Sequence, residues 1–153
     1  MLDKLSADSG VPFTLDSEWV YDMQEFHGKF GVNEVVATFD KEKLAKFLEF
    51  RLNFLQEELN EAKTAAASGD PKQAEDIVDA MIDLCVVAIG TLISFQVDAD
   101  EAWIRVLDAN MAKEVGIKAS RPNPLGLPDL IKPAGWVSPT HADNVGLLAK
   151  IYE

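Results

Sequence analysis

The chain is poor in cysteine and in basic residues. Cys85 is the only cysteine among 153 residues, so no disulfide can form within one chain, and a reducing interior is the expected environment. Lys and Arg number 14 against 26 Asp and Glu, a formal net charge of −12. Because phosphate contacts to nucleic acid require clustered cations, this balance argues against a nucleic-acid partner.

A long apolar run is also missing. The longest, from Leu84 to Phe95, is too short to span a bilayer, and extending it towards Ile77 adds Asp79 and Asp83. Each acid would cost roughly 2.5–3.5 kcal/mol at the bilayer centre. The first ten residues also lack the apolar core of a signal peptide. We therefore expect a soluble protein without a membrane partner, in the cytoplasm of a bacterium or, for a phage protein, of its host.

The apolar periodicity predicts an all-α, four-helix-bundle-like fold in a single domain, residues 1–153. Residues 1–15 are expected to form an irregular arm and 16–117 the helical core. The predicted helices cover 16–30, 40–67, 71–95 and 98–116, with Asp16, Asp70 and Asp98 as N-caps and Gly31 ending the first. Residues 33–39 are predicted to be a loop.

The C-terminal tail, residues 118–153, has a different composition from the core. Five of the seven prolines lie after Ser120, yet leucines and Trp136 remain. We expect this tail to pack over the bundle or to reach a neighbouring subunit. The second helix is apolar on two sides, which predicts self-association as a homodimer or homotetramer.

Two predicted helices direct carboxylates towards one place. Glu58 and Glu61 continue the helical stripe of Phe47, Arg51 and Phe54, and Asp79 and Asp83 interrupt an otherwise apolar helix. Buried carboxylates need a partner or a cation, and a single arginine cannot neutralise so many. Oxygen ligands select a hard ion, Mg²⁺ or Mn²⁺, so the pattern predicts a metal site.

Two alternatives compete with this site. Glu57, Glu58 and Glu61 could form an ordinary solvated helix face. A di-iron centre is disfavoured, because such sites use Glu-x-x-His pairs, and His27 and His141 are preceded at that spacing by Gln24 and Ser138.

Taken in order, these motifs resemble the MazG-like all-α nucleoside triphosphate pyrophosphohydrolases, the superfamily of phosphoribosyl-ATP pyrophosphohydrolase and of the dimeric dUTPases and dCTPases. The stretches that carry the resemblance are 24–31, 51–61, 79–87, 110–113 and 132–136, of which 57–61 has the pattern Glu-Glu-x-x-Glu. One departure concerns the third helix, where the superfamily usually has Glu-x-x-Asp. Ala80 stands at the Glu position if Asp83 is the final Asp, so Asp79 is expected to substitute, with Asp76 as the alternative.

The resemblance implies cleavage of nucleoside triphosphates between the α and β phosphates, giving a monophosphate and pyrophosphate. It implies Mg²⁺, with Mn²⁺ as a substitute, held by Glu58, Glu61, Asp79 and Asp83. Glu57 is a further ligand or the base that orients the attacking water. The implied substrate-binding residues are Asn110 and Lys113 for the phosphates, Gln24 and His27 for the base, and Arg51 and Lys132, with Trp136 closing the pocket.

The substrate is not determined by these motifs. Damaged nucleotides, canonical dNTPs, dUTP and dCTP all fit, and phosphoribosyl-ATP is less favoured because of the first helix and the long tail. The rival hypothesis from another class is a non-catalytic helical module that binds a nucleotide or a protein partner and uses the acids as a structural cation site.

Overall fold

The computed structural model describes residues 18–120, 125–127 and 129–153. Its helices are α1 Trp19–Phe30, α2 Val32–Ala37, α3 Lys41–Ser68, α4 Gln73–Ser94, α5 Ala99–Met111 and α6 Ala149–Tyr152, the last preceded by a 3-10 turn at Gly146–Leu148. Strands β1 Glu114–Gly116 and β2 Asp129–Ile131 form a small antiparallel pair. The predicted all-α class is confirmed.

Several predicted helix ends are confirmed because a capping group is present at each. The carboxylate of Asp40 accepts the backbone N–H of Lys43 at 2.9 Å, and that of Asp98 accepts the N–H of Glu101 at 3.0 Å. Gly31 ends α1 with φ +65°, a left-handed conformation that favours glycine. The predicted cap at Asp16 lies outside the described residues.

Three boundaries were wrong. Residues 32–37 are helical rather than a loop, because Val36 is buried in the core and the short helix carries it there. Asp70 caps a turn, accepting from the N–H of Lys72, so α4 starts at Gln73. The last predicted helix ends at Met111, since residues 114–116 pair with the tail as a strand.

The core joins residues of α2, α3 and the end of α4 to the C-terminal tail. Its buried residues are Val36, Leu44, Phe95, Val97 and Leu147. The backbone N–H of Leu147 donates to the carbonyl of Phe95 at 2.7 Å, so a residue of the tail is part of the core. The tail therefore lies over the end of α4 and the start of α5.

Helix α4 packs along α3 but remains largely uncovered. It is the one helix of the described residues that is long and apolar enough to cross a membrane by length and composition, criteria that core helices of soluble proteins also meet. Only 28% of its most apolar window is buried within the chain. Val78, Met81 and Ile82 are among its exposed side chains, so one apolar face of α4 has no partner within the described chain.

Candidate active site

A cavity of about 260 Å³ lies where α1, α3 and α4 meet. Its lining combines apolar walls with four groups that the motifs singled out. The lining residues are Met23, Phe26 and His27 from α1, Arg51, Phe54 and Glu58 from α3, and Asp83, Val86 and Val87 from α4. We call this cavity the acid pocket.

Arg51 connects α3 to α4 beneath the acid pocket. Its Nε donates to Thr91 Oγ1 at 2.8 Å and its Nη2 donates to the carbonyl of Val87 at 2.8 Å. Partial burial lowers the pKa of Arg51, but a guanidinium remains charged throughout the physiological range. The pocket thus has a fixed cation in its wall.

His27 is buried and held by two residues that the sequence reasoning missed. Its Nδ1 lies 3.0 Å from Asn33 Oδ1 and 3.2 Å from Ser94 Oγ. Asn33 fell in a stretch interpreted as a loop, and Ser94 is a small polar residue at the end of an apolar helix. Neither carried a motif, so only the helix packing brings them to His27.

Gly90 allows the polar groups to approach α4. A Cβ atom at this position would lie 2.8 Å from His27 Nε2, 3.0 Å from Arg51 Nη2 and 3.1 Å from Met23 Cε. A glycine in the middle of a helix is otherwise unfavourable. Its position is explained by the close approach of these three pocket-lining side chains.

The carboxylates surround Glu58, which is only 8% exposed. Burial raises the pKa of Glu58, and repulsion from Glu61, Asp83 and Glu57 raises it further. Asp79 is exposed one helical turn before Asp83, and Asp76 is exposed about two turns before it. The structure therefore brings Asp83 to Glu58, whereas Asp79 and Asp76 are not among the described residues that line the acid pocket.

The donor set fits a hard divalent ion in its chemistry, since every predicted ligand is a carboxylate. Within the ranges that the structure describes, no three His, Cys, Asp or Glu side chains lie close enough together to hold a metal ion. Glu57, Glu61, Asp79 and Asp83 are exposed, so their side chains have room to turn. A cation would offset the mutual repulsion that raises the pKa of Glu58, and the metal site stays a prediction.

A second group of predicted residues assembles elsewhere, around Trp136. Lys113 Nζ donates to Asn110 Oδ1 at 2.7 Å. Lys132 Nζ lies 4.4 Å and Lys113 Nζ 5.8 Å from the centroid of the Trp136 ring, in cation–π geometry. The indole N–H is committed to the carbonyl of Ala109 at 2.7 Å. We call these four residues the lysine cluster, meaning Asn110, Lys113, Lys132 and Trp136.

The lysine cluster and the acid pocket are separate in one chain. No member of the cluster is among the described residues that line the acid pocket. Gln24, the other predicted base contact, is exposed on α1 and is not in that lining either. The structure thus places Glu58, Asp83, His27 and Arg51 together, and Asn110, Lys113 and Lys132 in a different place.

A larger cavity of about 670 Å³ lies between α5 and residues 133–140. Its cation, Arg105, is already held by Glu101 at 2.8 Å and by both oxygens of Asp143 at 2.6 and 3.0 Å. None of the predicted acids contributes to its lining in the described structure. The smaller acid pocket is therefore the candidate for phosphate chemistry.

Comparison with known families agrees with this location. A model of the phosphoribosyl-ATP pyrophosphohydrolase family matches residues 23–110, more than half of the chain. The match contains every side chain that lines the acid pocket. Among curated proteins and solved structures, no significant match was found. The chain therefore belongs to the phosphoribosyl-ATP pyrophosphohydrolase family, within the MazG-like all-α superfamily of pyrophosphohydrolases, as the motifs predicted.

Proposed function

We propose that this protein is a Mg²⁺-dependent pyrophosphohydrolase that cleaves nucleoside or deoxynucleoside triphosphates between the α and β phosphates, in the cytoplasm. The observation that supports it best is the acid pocket, where Glu58 and Asp83 meet His27 and Arg51 beside apolar walls. In this reaction, water attacks phosphorus, the bridging P–O bond breaks, and a monophosphate and pyrophosphate leave.

The carboxylates have distinct roles in this proposal. Glu58, Glu61, Asp79 and Asp83 hold Mg²⁺, with Mn²⁺ as a substitute. When bound, the ion supplies charge neutralisation of the phosphates and a more acidic attacking water. Glu57, exposed beside Glu58, is a further ligand or the base that orients the water and accepts its proton.

The cations that a triphosphate requires point to a second copy of the chain. Arg51 is already hydrogen-bonded to α4, whereas Lys113 and Lys132 lie outside the acid pocket. We propose a homodimer or homotetramer in which the uncovered apolar faces associate. Exposed apolar side chains that such contacts would cover include Phe50 on α3 and Val78, Met81 and Ile82 on α4.

The proposed oligomer is tested by measuring the mass of the protein in solution by light scattering. Met81→Glu, on the exposed face of α4, should shift the protein towards monomer, whereas Lys63→Glu on α3 should not. A monomeric wild type would contradict this part of the proposal.

A second substrate is favoured by one finding. The matching family is named for phosphoribosyl-ATP, which carries the same triphosphate chain and an adenine base. Residues 111–153, which include Lys113, Lys132 and Trp136, lie beyond that match. We favour (d)NTPs and retain phosphoribosyl-ATP as the competing candidate.

The central experiment offers the purified protein a panel of NTPs and dNTPs, together with phosphoribosyl-ATP, in the presence of Mg²⁺. Chromatography identifies the products. Monophosphate and pyrophosphate formed by the wild type but not by Glu58→Gln would support the proposal. Diphosphate and phosphate would contradict the cleavage site, and exclusive turnover of phosphoribosyl-ATP would favour the competing substrate.

The non-catalytic module is distinguished by melting temperature. A structural cation site predicts a large rise with Mg²⁺ and a fall with EDTA, without turnover of any nucleotide. An enzyme of the proposed kind predicts turnover that EDTA abolishes and Mg²⁺ restores.

A further inference from the structure

We propose that Ser94 and Asn33 are positioning residues that hold His27 in its Nδ1–H tautomer, so that Nε2 accepts an N–H group of the substrate base. This inference rests on the proposed function for the identity of the ligand. The tautomer itself follows from the hydrogen-bond geometry alone and can be measured without turnover.

The hydrogen atoms around His27 Nδ1 can be assigned one at a time. The hydroxyl of Ser94 has a single hydrogen, which it donates to the carbonyl of Gly90 at 2.8 Å. Towards His27 Nδ1, at 3.2 Å, Ser94 therefore presents a lone pair. Asn33 Oδ1, at 3.0 Å, is also an acceptor. Two acceptors facing one nitrogen place the proton on Nδ1, and a neutral imidazole then has its lone pair on Nε2.

The lone pair on Nε2 lies beside the guanidinium of Arg51. Both Nε2 and Arg51 Nη2 lie within 3.0 Å of the point that a Cβ on Gly90 would occupy, so the two groups are neighbours. With Nδ1 committed to Asn33 and Ser94, Nε2 is the ring nitrogen left for a ligand. Arg51 Nη2 carries two hydrogens and donates to the carbonyl of Val87, so a second N–H of the same nitrogen remains as a donor beside this acceptor.

An acceptor next to a donor complements the edge of a nucleobase. Cytosine, adenine and uracil each present an N–H beside a ring nitrogen or a carbonyl oxygen. Ionised phosphate offers acceptors only, so it has no hydrogen for Nε2. Phe26 and Phe54 line the same pocket and provide aromatic faces for stacking. The pocket therefore suits the base, with the phosphates extending towards Glu58 and Asp83.

Without the two acceptors that Asn33 and Ser94 place at Nδ1, His27 is no longer held in the Nδ1–H tautomer. A histidine free in water favours the Nε2–H tautomer, which would turn a donor towards the donor of the base. We expect Ser94→Ala/Asn33→Ala to raise KM for the preferred nucleotide by about tenfold or more, with kcat little changed. In the same Ser94→Ala background, Asn33→Asp keeps an acceptor at Nδ1. This variant should therefore have a KM closer to that of the wild type.

The decisive measurement is a two-bond ¹H–¹⁵N correlation spectrum of the labelled protein at about pH 8, which reports the protonated nitrogen of each neutral histidine. The chain has two histidines, so His141 serves as the internal reference. We expect His27 to be Nδ1–H in the wild type and Nε2–H in the double variant. Ser68→Ala is the matched control, because Ser68 likewise donates to its own helix, to the carbonyl of Ala65.

An Nε2–H tautomer in the wild type would overturn the proposal even if the protein hydrolyses nucleotides. If the tautomer is Nδ1–H, the base contact is tested by comparing the preferred substrate with an analogue that has no N–H on this edge of the base. That analogue is N,N-dimethylated at the amino group for cytosine or adenine and N3-methylated for uracil. An unchanged KM would overturn the base contact. Failure to hydrolyse any nucleotide would contradict the proposed function and the base contact but leave the measured tautomer standing.

Discussion

The acid pocket and the lysine cluster hold their charged groups in opposite ways. In the pocket, Arg51 and His27 are fixed by hydrogen bonds to neighbouring helices, and Glu58 is buried. In the cluster, Lys132 is exposed and rests on the ring of Trp136. A group held by several bonds before a ligand arrives suits chemistry that needs exact placement, whereas an exposed lysine suits neutralisation of a mobile polyphosphate.

The largest difference in kcat is expected between substitutions of two acids on α4. Asp83 lines the pocket beside Glu58, whereas Asp76 is exposed about two turns away. Loss of an outer-shell partner of a metal typically costs roughly 10–100-fold in affinity or activity. Because Asp83 is proposed as a direct ligand, we expect Asp83→Asn to lower kcat by about 100-fold or more. Asp76→Asn should remain close to wild type in pyrophosphate release. If Asp76→Asn lowers kcat more than Asp83→Asn does, the metal ligands on α4 are Asp76 and Asp79.

The next effect concerns the close approach at Gly90. Gly90→Ala would press against His27, Arg51 and Met23, and we expect a loss of about 1–3 kcal/mol in the free energy of unfolding. Gly28→Ala on α1 is the control, because nothing lies within 4 Å of its Cβ position, and it should gain about 0.5–1 kcal/mol. Urea denaturation measures both. Equal stabilisation by the two changes would show that Gly90 is not required for packing.

A smaller effect is expected in the lysine cluster. Lys113→Ala removes the donor to Asn110 and one cation beside Trp136, so KM for the triphosphate should rise by about tenfold with little change in kcat. Lys63→Ala, exposed on α3, is the control. Steady-state kinetics separates the two constants. A fall in kcat with constant KM would move Lys113 from phosphate binding to the chemical step.

The smallest effect is the dependence of stability on pH. Because the pKa of Glu58 is raised above its ordinary value of 4.5, the folded state binds more protons than the unfolded state as pH rises through that region. Its stabilising effect, present in the protonated form at low pH, is therefore lost with increasing pH. Thermal melts without Mg²⁺ should show wild type losing stability relative to Glu58→Gln above about pH 4.5. If the melting temperatures of the two proteins change with pH in parallel, the pKa of Glu58 is not raised in the folded state.

Much of the helical framework could be predicted from local patterns. Asp40 and Asp98 cap helices because each carboxylate reaches an N–H three residues later, an interaction contained within one short stretch. Residues 32–37 were misjudged because their helix depends on burying Val36 against distant parts of the chain. The strand at 114–116 likewise depends on a partner in the tail.

The candidate site likewise contains residues that local sequence patterns predicted and residues whose roles depend on contacts between helices. Helical spacing placed Arg51 and Glu58 on one face of α3, and the apolar sequence of α4 made Asp83 conspicuous. The family resemblance added His27. By contrast, the contacts of Asn33, Ser94 and Gly90 with His27 join α2 and α4 to α1 across the pocket. These small residues carry no chemical signature, so their roles depend on what packs against them.

The sequence by itself determined the long helices, the caps at Asp40 and Asp98 and the acidic stripes, because these follow from spacing within a helix and from bonds between near neighbours. Only the tertiary structure decided that Asp83 lines the acid pocket with Glu58 while Asp79 does not, and that Lys113 and Lys132 gather at Trp136. It also decided the hydrogen-bond partners of His27. Those outcomes depend on how whole helices dock, which is set by side chains far apart in the chain.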